Sequence, residues 1–484
     1  MRGSYERGLR QQIDWGLVIS YLLLVIIGWV NIYASSHGTD TGPALSFDMR
    51  SGKQFVWILT SLGLATFILF VLNSRLWEVI SIPSYAFVFF LLVIVIFVSK
   101  DVKGSHSWFE LGPVKFQPAE ISKITTSLVL AALMSRQNFK MGRLKDFMMV
   151  AATILLPMLA IVAESETGSA LVYVGFIFVL YREGFSGWFL ACGGLAVIVF
   201  ILTLTASPYA AALVLVASVS LCYSYSNNKI RRWVTRELPL TIFLAFMPKI
   251  WSLLAGEEPQ GIWTVLTPFN ILVGAVSATM PYFMFKAFRD KKFSLWASVM
   301  AFIAGIIMVF STEFIFNDVL QDHQRKRIEV LLGLKEDPSG VGYNVNQSMI
   351  AIGSGGLFGK GFLNGTQTTF GFVPEQSTDF IFCTVGEEWG FLGCLSVILL
   401  YVFMISRLII DAEKSREPFT RVYGYCVASL IFMHLFINIG MTIGLMPVIG
   451  IPLPFLSYGG SSLWAFTILL FIFIALYRQE SKYF

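Results

Sequence analysis

The stretch WGLVISYLLLVIIGWVNIYA, residues 15–34, carries no charged side chain over twenty residues. At the helical rise of about 1.5 Å per residue it is long enough to cross a hydrocarbon core of about 30 Å. It follows Arg2, Arg7 and Arg10 and is longer than the core of a signal peptide, so it reads as an uncleaved first membrane helix. Of the 484 residues 56% are hydrophobic and 13% charged, and the mean hydropathy is +0.71. Apolar runs recur at 15–34, 55–72, 79–99, 118–135, 147–163, 169–181, 188–205, 209–226, 239–255, 263–285, 294–316, 389–410, 422–441 and 461–477. This pattern excludes a soluble globular protein and predicts an all-α polytopic membrane protein with about fourteen transmembrane helices.

The net charge of +5 reports orientation in such a chain, and no nucleic-acid partner is expected from it. Lys and Arg cluster in 136–146 (RQNFKMGRLKD), 227–237 (NNKIRRWVTRE), 286–292 (KAFRDKK) and 411–421 (DAEKSREPFTR), whereas 256–262 and 442–460 have none. The positive-inside rule then places both termini in the cytoplasm and leaves 101–117 and a long loop from 317 outside. Cys192, Cys222, Cys383, Cys394 and Cys426 form no CxxC, and the four histidines are scattered, so neither a disulfide nor a zinc site is expected.

The polar, glycine-rich outer loop ends at Asp379, followed by Phe380, Ile381 and Phe382. A carboxylate where the chain re-enters the membrane can cap a helix, or, partly desolvated, can serve as a general base toward a hydroxyl. Glu120 and Lys123, at i and i+3, share a helix face. Charges at membrane depth cost roughly 2.5–3.5 kcal/mol each on insertion scales, so such a pair is either a structural ion pair or part of a site. Arg325, Lys326 and Arg327, with Lys360 in GLFGKGF, place cations outside, beside glycines whose backbone N–H groups can approach oxygens closely. That combination suits a phosphate or diphosphate, and no GxxxxGK[ST] is present. Glu387 and Glu388 read as a carboxylate pair or cation site, or as one helix cap and one solvated group. His434 and Asn438 read as interhelical hydrogen-bonding residues, and Trp108 as an interfacial side chain.

FQPAEISK (116–123), the DHQRKR lead-in (322–327), NQSMIAIGSGGLFGKGFLNGTQ (346–367), FVPEQSTDFIF (372–382), GEEWGFLG (386–393) and PVIGIPLPFLSYGGSS (447–462) together resemble the SEDS family of bacterial cell-wall synthesis, in its elongation branch. The resemblance covers residues 10–182 and about 293–478, and typical members have ten membrane helices. It divides the chain into a core part over 1–187, inserted helices over 188–290, and a second core part over 291–484 with an extracytoplasmic catalytic loop at 317–388. AESETGSAL (163–171) departs from the family's AQPDLGTA by keeping a carboxylate at Glu166 and losing the proline.

The resemblance implies a peptidoglycan glycosyltransferase that polymerises lipid II at the outer face of the cytoplasmic membrane during cell elongation. It also implies a class B penicillin-binding protein as partner, with other elongation proteins. Asp379 is implied as the base or as the holder of a divalent cation, Mg2+ or Mn2+. Glu120, Lys123, Trp108, Arg325, Arg327, Gln347, Ser348 and Lys360 are implied as substrate-binding residues. A lipid II flippase and a scaffold for the penicillin-binding protein are the rival functions. A transporter would show paired broken helices in internal repeats, and none is found.

Overall fold

The computed structural model describes residues 13–38, 43–99, 107–111, 114–255, 266–291, 293–320, 322–332, 334 and 341–480. It divides into two compact units, one of 1–185 with 336–484 and one of 186–335.

The first unit begins with α1 (Trp15–His37), opened by Asp14, whose carboxylate accepts from the Leu17 N–H. There follow α2 (Arg50–Phe70), α3 (Ser74–Val98) and a short antiparallel hairpin, β1 (Phe109–Leu111) and β2 (Val114–Phe116). Next come α4 (Pro118–Met134), α5 (Leu144–Ala163) and α6 (Thr167–Arg182), the last tightened by a 3-10 turn at Tyr173–Gly175. Pro118 starts α4 where no N–H is needed. The chain returns through α14 (Val341–Ser354), α15 (Thr366–Thr369), α16 (Ile381–Lys414), α17 (Pro418–Thr442) and α18 (Gly460–Glu480).

The packing is that of a chain solvated by hydrocarbon. α4 is buried along nearly its whole length although it carries Glu120, Ser122, Lys123, Thr125, Thr126 and Ser127. On α3, by contrast, Phe87, Phe90 and Phe97 are exposed. Polar groups turned inward and aromatics turned outward are what a lipid solvent selects. α17, buried on nearly every side, lies against α4 and α16, while α18 packs on α2 and α1 on α16.

The second unit contains α7 (Gly187–Thr205), α8 (Pro208–Ser226), the pair α9 (Ile230–Ala245) and α10 (Met247–Leu254), bent by 42°, α11 (Pro268–Asp290), α12 (Phe293–Phe314) and α13 (Asp322–Leu331). Val199, Ala211, Leu215, Phe302 and Val309 form its core. α12 therefore packs with the inserted helices, because Phe302 and Val309 find their partners on α7 and α8.

Helices stand where the apolar runs predicted them. Among the described residues ten helices are long and apolar enough to cross a membrane, and the bent pair would add one; α4, α6 and the Leu190–Thr205 stretch of α7 are shorter apolar helices. The protein is thus an all-helical multi-pass membrane protein with one small hairpin. Within 317–388, expected as a loop, stand α13, α14, α15 and the first turns of α16. Ala351 on α14 joins Val373, Phe380, Cys383 and Met441 in a small apolar core, so the segment has partners that order it.

Candidate active site

Asp379 sits one residue before Phe380, the N-cap residue of α16, whose own side chain makes no cap bond. The backbone around Asp379 is pinned. The Asp379 N–H donates to Glu375 O (3.2 Å), and Asn438 Nδ2 on α17 donates to Asp379 O (2.8 Å) and Ile451 O (2.7 Å). Gly450, at φ +75°, lies against the carboxylate: a Cβ added there would stand 3.4 Å from Asp379 Oδ2. On the other side of the same segment, a Cβ on Gly168 would come within 2.9 Å of Ile449 O. The Val448–Pro452 strip is thereby wedged between the Glu166–Gly168 turn and Asp379.

That turn brings a third element. Glu166 Oε2 accepts from Gln117 Nε2 (2.5 Å) and Ser169 Oγ (3.2 Å). It lies between α5 and α6, outside the membrane-crossing helices. Its carboxyl is pushed up to about 7, first by burial and then by the Glu120 carboxylate, with Asp379 adding a smaller rise, while the Ser169 hydroxyl and Lys123 oppose the shift. Neighbouring Glu164 is pushed up to about 9, first by burial and then by Glu166. Ser165 between them has φ +64°, a backbone that proline, fixed near −65°, could not adopt. The lost family proline therefore corresponds to a differently shaped turn.

Glu120 and Lys123 are 4% and 2% exposed and pair at 2.7 Å. Lys123 Nζ also lies 3.0 Å from His434 Nε2 and over the Phe466 ring, while His434 Nδ1 lies 3.0 Å from Pro452 O. The ring is consequently in the Nδ1–H form, donating to Pro452 and accepting from Lys123. Glu120 Oε2 is buried with no hydrogen-bond partner among the described residues. Three carboxyls and one ammonium thus interact in one region. A surplus of negative charge in so dry a place favours proton uptake or an incoming cation.

Part of the glycine-rich stretch is spent on packing, so the N–H groups of Lys360 and Gly361 are not available to a phosphate. Lys360 N and Gly361 N donate to Glu387 O (2.9 Å) and Glu388 O (3.0 Å), and Phe391 N and Leu392 N return bonds to Gly356 O and Leu357 O. At Gly390 the helix breaks with φ +66°, and a Cβ there would stand 2.3 Å from Gly359 N. Glycine at both positions lets two backbones run side by side. Glu387 and Glu388 are 0% and 1% exposed, so neither is the solvated group expected of one of them.

Lys360 Nζ, 26% exposed, pairs with Glu387 Oε1 at 2.7 Å. Ser348 is buried and donates to Thr442 O (2.9 Å), joining α14 to α17, while Gln347 on the same helix is half-buried. Trp108, also half-buried, precedes the hairpin. In the second unit Arg325 pairs with Glu329 at 3.1 Å and lies over Phe316; the Arg327 side chain is outside the described residues. Sequence reasoning passed over Arg50, which donates to Ser377 Oγ (2.7 Å), two residues before Asp379. Its signal is an arginine at the start of an apolar run, outside the four basic loops.

A multi-pass helical bundle with carboxylates, half-buried or buried, gathered near a helix start is the class of protein the geometry defines. The chain belongs to the cell cycle protein family of FtsW, RodA and SpoVE, whose family model matches residues 14–237 and 275–482. It is 29% identical over 454 residues to the peptidoglycan glycosyltransferase RodA of Treponema pallidum, covering 93% of this chain and 94% of the relative. It is 30% identical over 380 residues to the peptidoglycan glycosyltransferase MrdB of Escherichia coli K12, covering 77% and 72%. In fold it is similar to a chain of a peptidoglycan synthase complex that coordinates polymerization and crosslinking, with a TM-score of 0.58, 23% identity and coverage of 97% and 98%. Thermus thermophilus RodA gives 0.53, 22%, and 97% of each chain.

Proposed function

We infer that this chain is a peptidoglycan glycosyltransferase that polymerises lipid II into glycan strands for cell elongation and shape. The observation that carries the reading is the half-buried Asp379 carboxylate pinned at the start of α16, within electrostatic reach of Glu166 and of the Glu120–Lys123 pair, in a chain that is similar over most of its length to enzymes of that name. In the reaction the 4-hydroxyl of a GlcNAc attacks the anomeric carbon of a neighbouring MurNAc. The new glycosidic C–O bond forms as the bond to diphosphate breaks, with inversion; the hydroxyl proton passes to Asp379. Undecaprenyl diphosphate departs without needing an acid, so one base suffices where glycosidases use two carboxyl groups.

Asn438, Gly450 and the Glu375 turn hold Asp379 for that role, and Lys360 is proposed to meet the diphosphate. Among the described residues no three His, Cys, Asp or Glu side chains converge to cage a metal. The surplus of carboxylates and the orphaned Glu120 Oε2 fit a Mg2+ or Mn2+ shared with substrate phosphates, held by Asp379 on the protein side. When bound, such an ion would neutralise the departing diphosphate.

The fourteen segments are proposed as fourteen crossings of the bacterial cytoplasmic membrane, both termini inside and Asp379 outside. A class B penicillin-binding protein is the proposed partner. The test is incubation of purified protein, with that partner, with lipid II: glycan polymer on a gel supports the reading. Lipid II translocation across vesicles without polymer would instead support a flippase.

A further inference from the structure

Glu387 is fully buried two turns inside α16, about 12 Å along the axis from Asp379. It accepts five hydrogen bonds, from Lys360 Nζ, Thr366 Oγ1, the Gln367 N–H, the Thr368 N–H and Thr368 Oγ1, at 2.7–3.2 Å. Gly365 makes room for it: a Cβ there would stand 2.9 Å from Glu387 Oε2. From Thr368 the connection continues. Its carbonyl accepts from Gln376 Nε2 at 2.8 Å, and the same amide donates to Ser35 O on α1 at 2.5 Å. Gln376 belongs to the turn whose Glu375 carbonyl receives the Asp379 N–H.

We propose that Glu387 is a positioning residue for the reaction, setting the place of Asp379 through Thr368 and Gln376. A buried carboxylate is a costly way to hold a loop if only stability is needed, since an apolar anchor of the same volume does as well. Five directional bonds do what an apolar anchor cannot: they fix the register of 366–368, and one side-chain amide passes that register to the Asp379 turn. The inference rests on the glycosyltransferase reading for its functional half only.

The test uses the full-length protein with its partner and two readouts, lipid II turnover and amide hydrogen exchange. Glu387→Gln should lose protection at 366–368 and also at 375–380, with α17 unchanged. Its kcat should fall at least tenfold while KM for lipid II moves less than threefold. Gln376→Leu, which leaves all five Glu387 bonds in place, should lose protection at 375–380 alone and lose turnover to a similar extent. The Glu387→Gln/Gln376→Leu double variant should be no worse than the weaker single one, because both cut one connection. Loss of protection confined to 366–368, turnover near wild type in either variant, or multiplied losses in the double variant would overturn the proposal. Should Glu387→Gln fail to accumulate, Gln376→Leu decides alone. If the wild-type protein makes no polymer, the functional reading falls while the exchange pattern still decides whether the connection exists.

Discussion

Lys123 Nζ stands 3.0 Å from His434 Nε2, joining α4 to α17 across 311 residues of sequence. Because Glu120 occupies the same ammonium at 2.7 Å, the three side chains form a buried unit whose charge balance depends on Lys123.

Removing that lysine should hurt more than removing the pair. Lys123→Met leaves the Glu120 carboxylate buried and unpaired, a loss of about 3–5 kcal/mol, whereas Glu120→Gln/Lys123→Met removes both charges and should recover part of it. Thermal unfolding in detergent measures the order. A double variant less stable than Lys123→Met would mean that the two residues act separately.

Stability should fall with rising pH because of the Glu164–Glu166 turn. Their carboxyls are raised from the ordinary 4.5 to about 9 and about 7, so the folded chain keeps protons that the unfolded chain releases above pH 4.5. The contribution is complete below that value and is lost as pH climbs through 7 for Glu166 and 9 for Glu164. Glu164→Gln should make the decline in Tm between pH 6 and 9 shallower by several degrees. An unchanged slope would contradict the burial argument.

Ser165 offers a backbone test. At φ +64° a side chain costs about 1 kcal/mol that glycine does not, so Ser165→Gly should be neutral or stabilising. Ser165→Pro, which restores the residue usual in the family, should destabilise by about 3 kcal/mol or more because the ring cannot reach positive φ. A Tm for Ser165→Pro equal to wild type would mean that the turn has the family shape after all.

The helices were legible because hydrocarbon-length apolar runs leave little choice, and Glu120 with Lys123 because their spacing sets them on one face. Asp379 was legible as a carboxylate just ahead of an apolar helix, though not its support by Asn438 and Gly450, which arrive from α17 and the strip beyond it. In the glycine-rich stretch the N–H groups of Lys360 and Gly361 go to Glu387 and Glu388, which local sequence does not reveal because 386–392 returns from farther along the chain. Glu387 was open to a surface reading for the same reason: its five donors lie 19 to 27 residues away in sequence. The packing of α12 with the inserted helices likewise depends on side chains, such as Phe302, that read equally well as lipid-facing.

The central claim is that the Asp379 carboxylate takes the proton of the attacking hydroxyl or holds the ion beside it. Polymerisation of lipid II by purified Asp379→Asn with its partner tests it most directly, because the change removes charge and basicity at nearly constant shape. The expected result is a folded, partner-bound protein whose glycan synthesis falls by at least about 10²–10⁴-fold. Glycan strands of normal length and amount from that variant would contradict it.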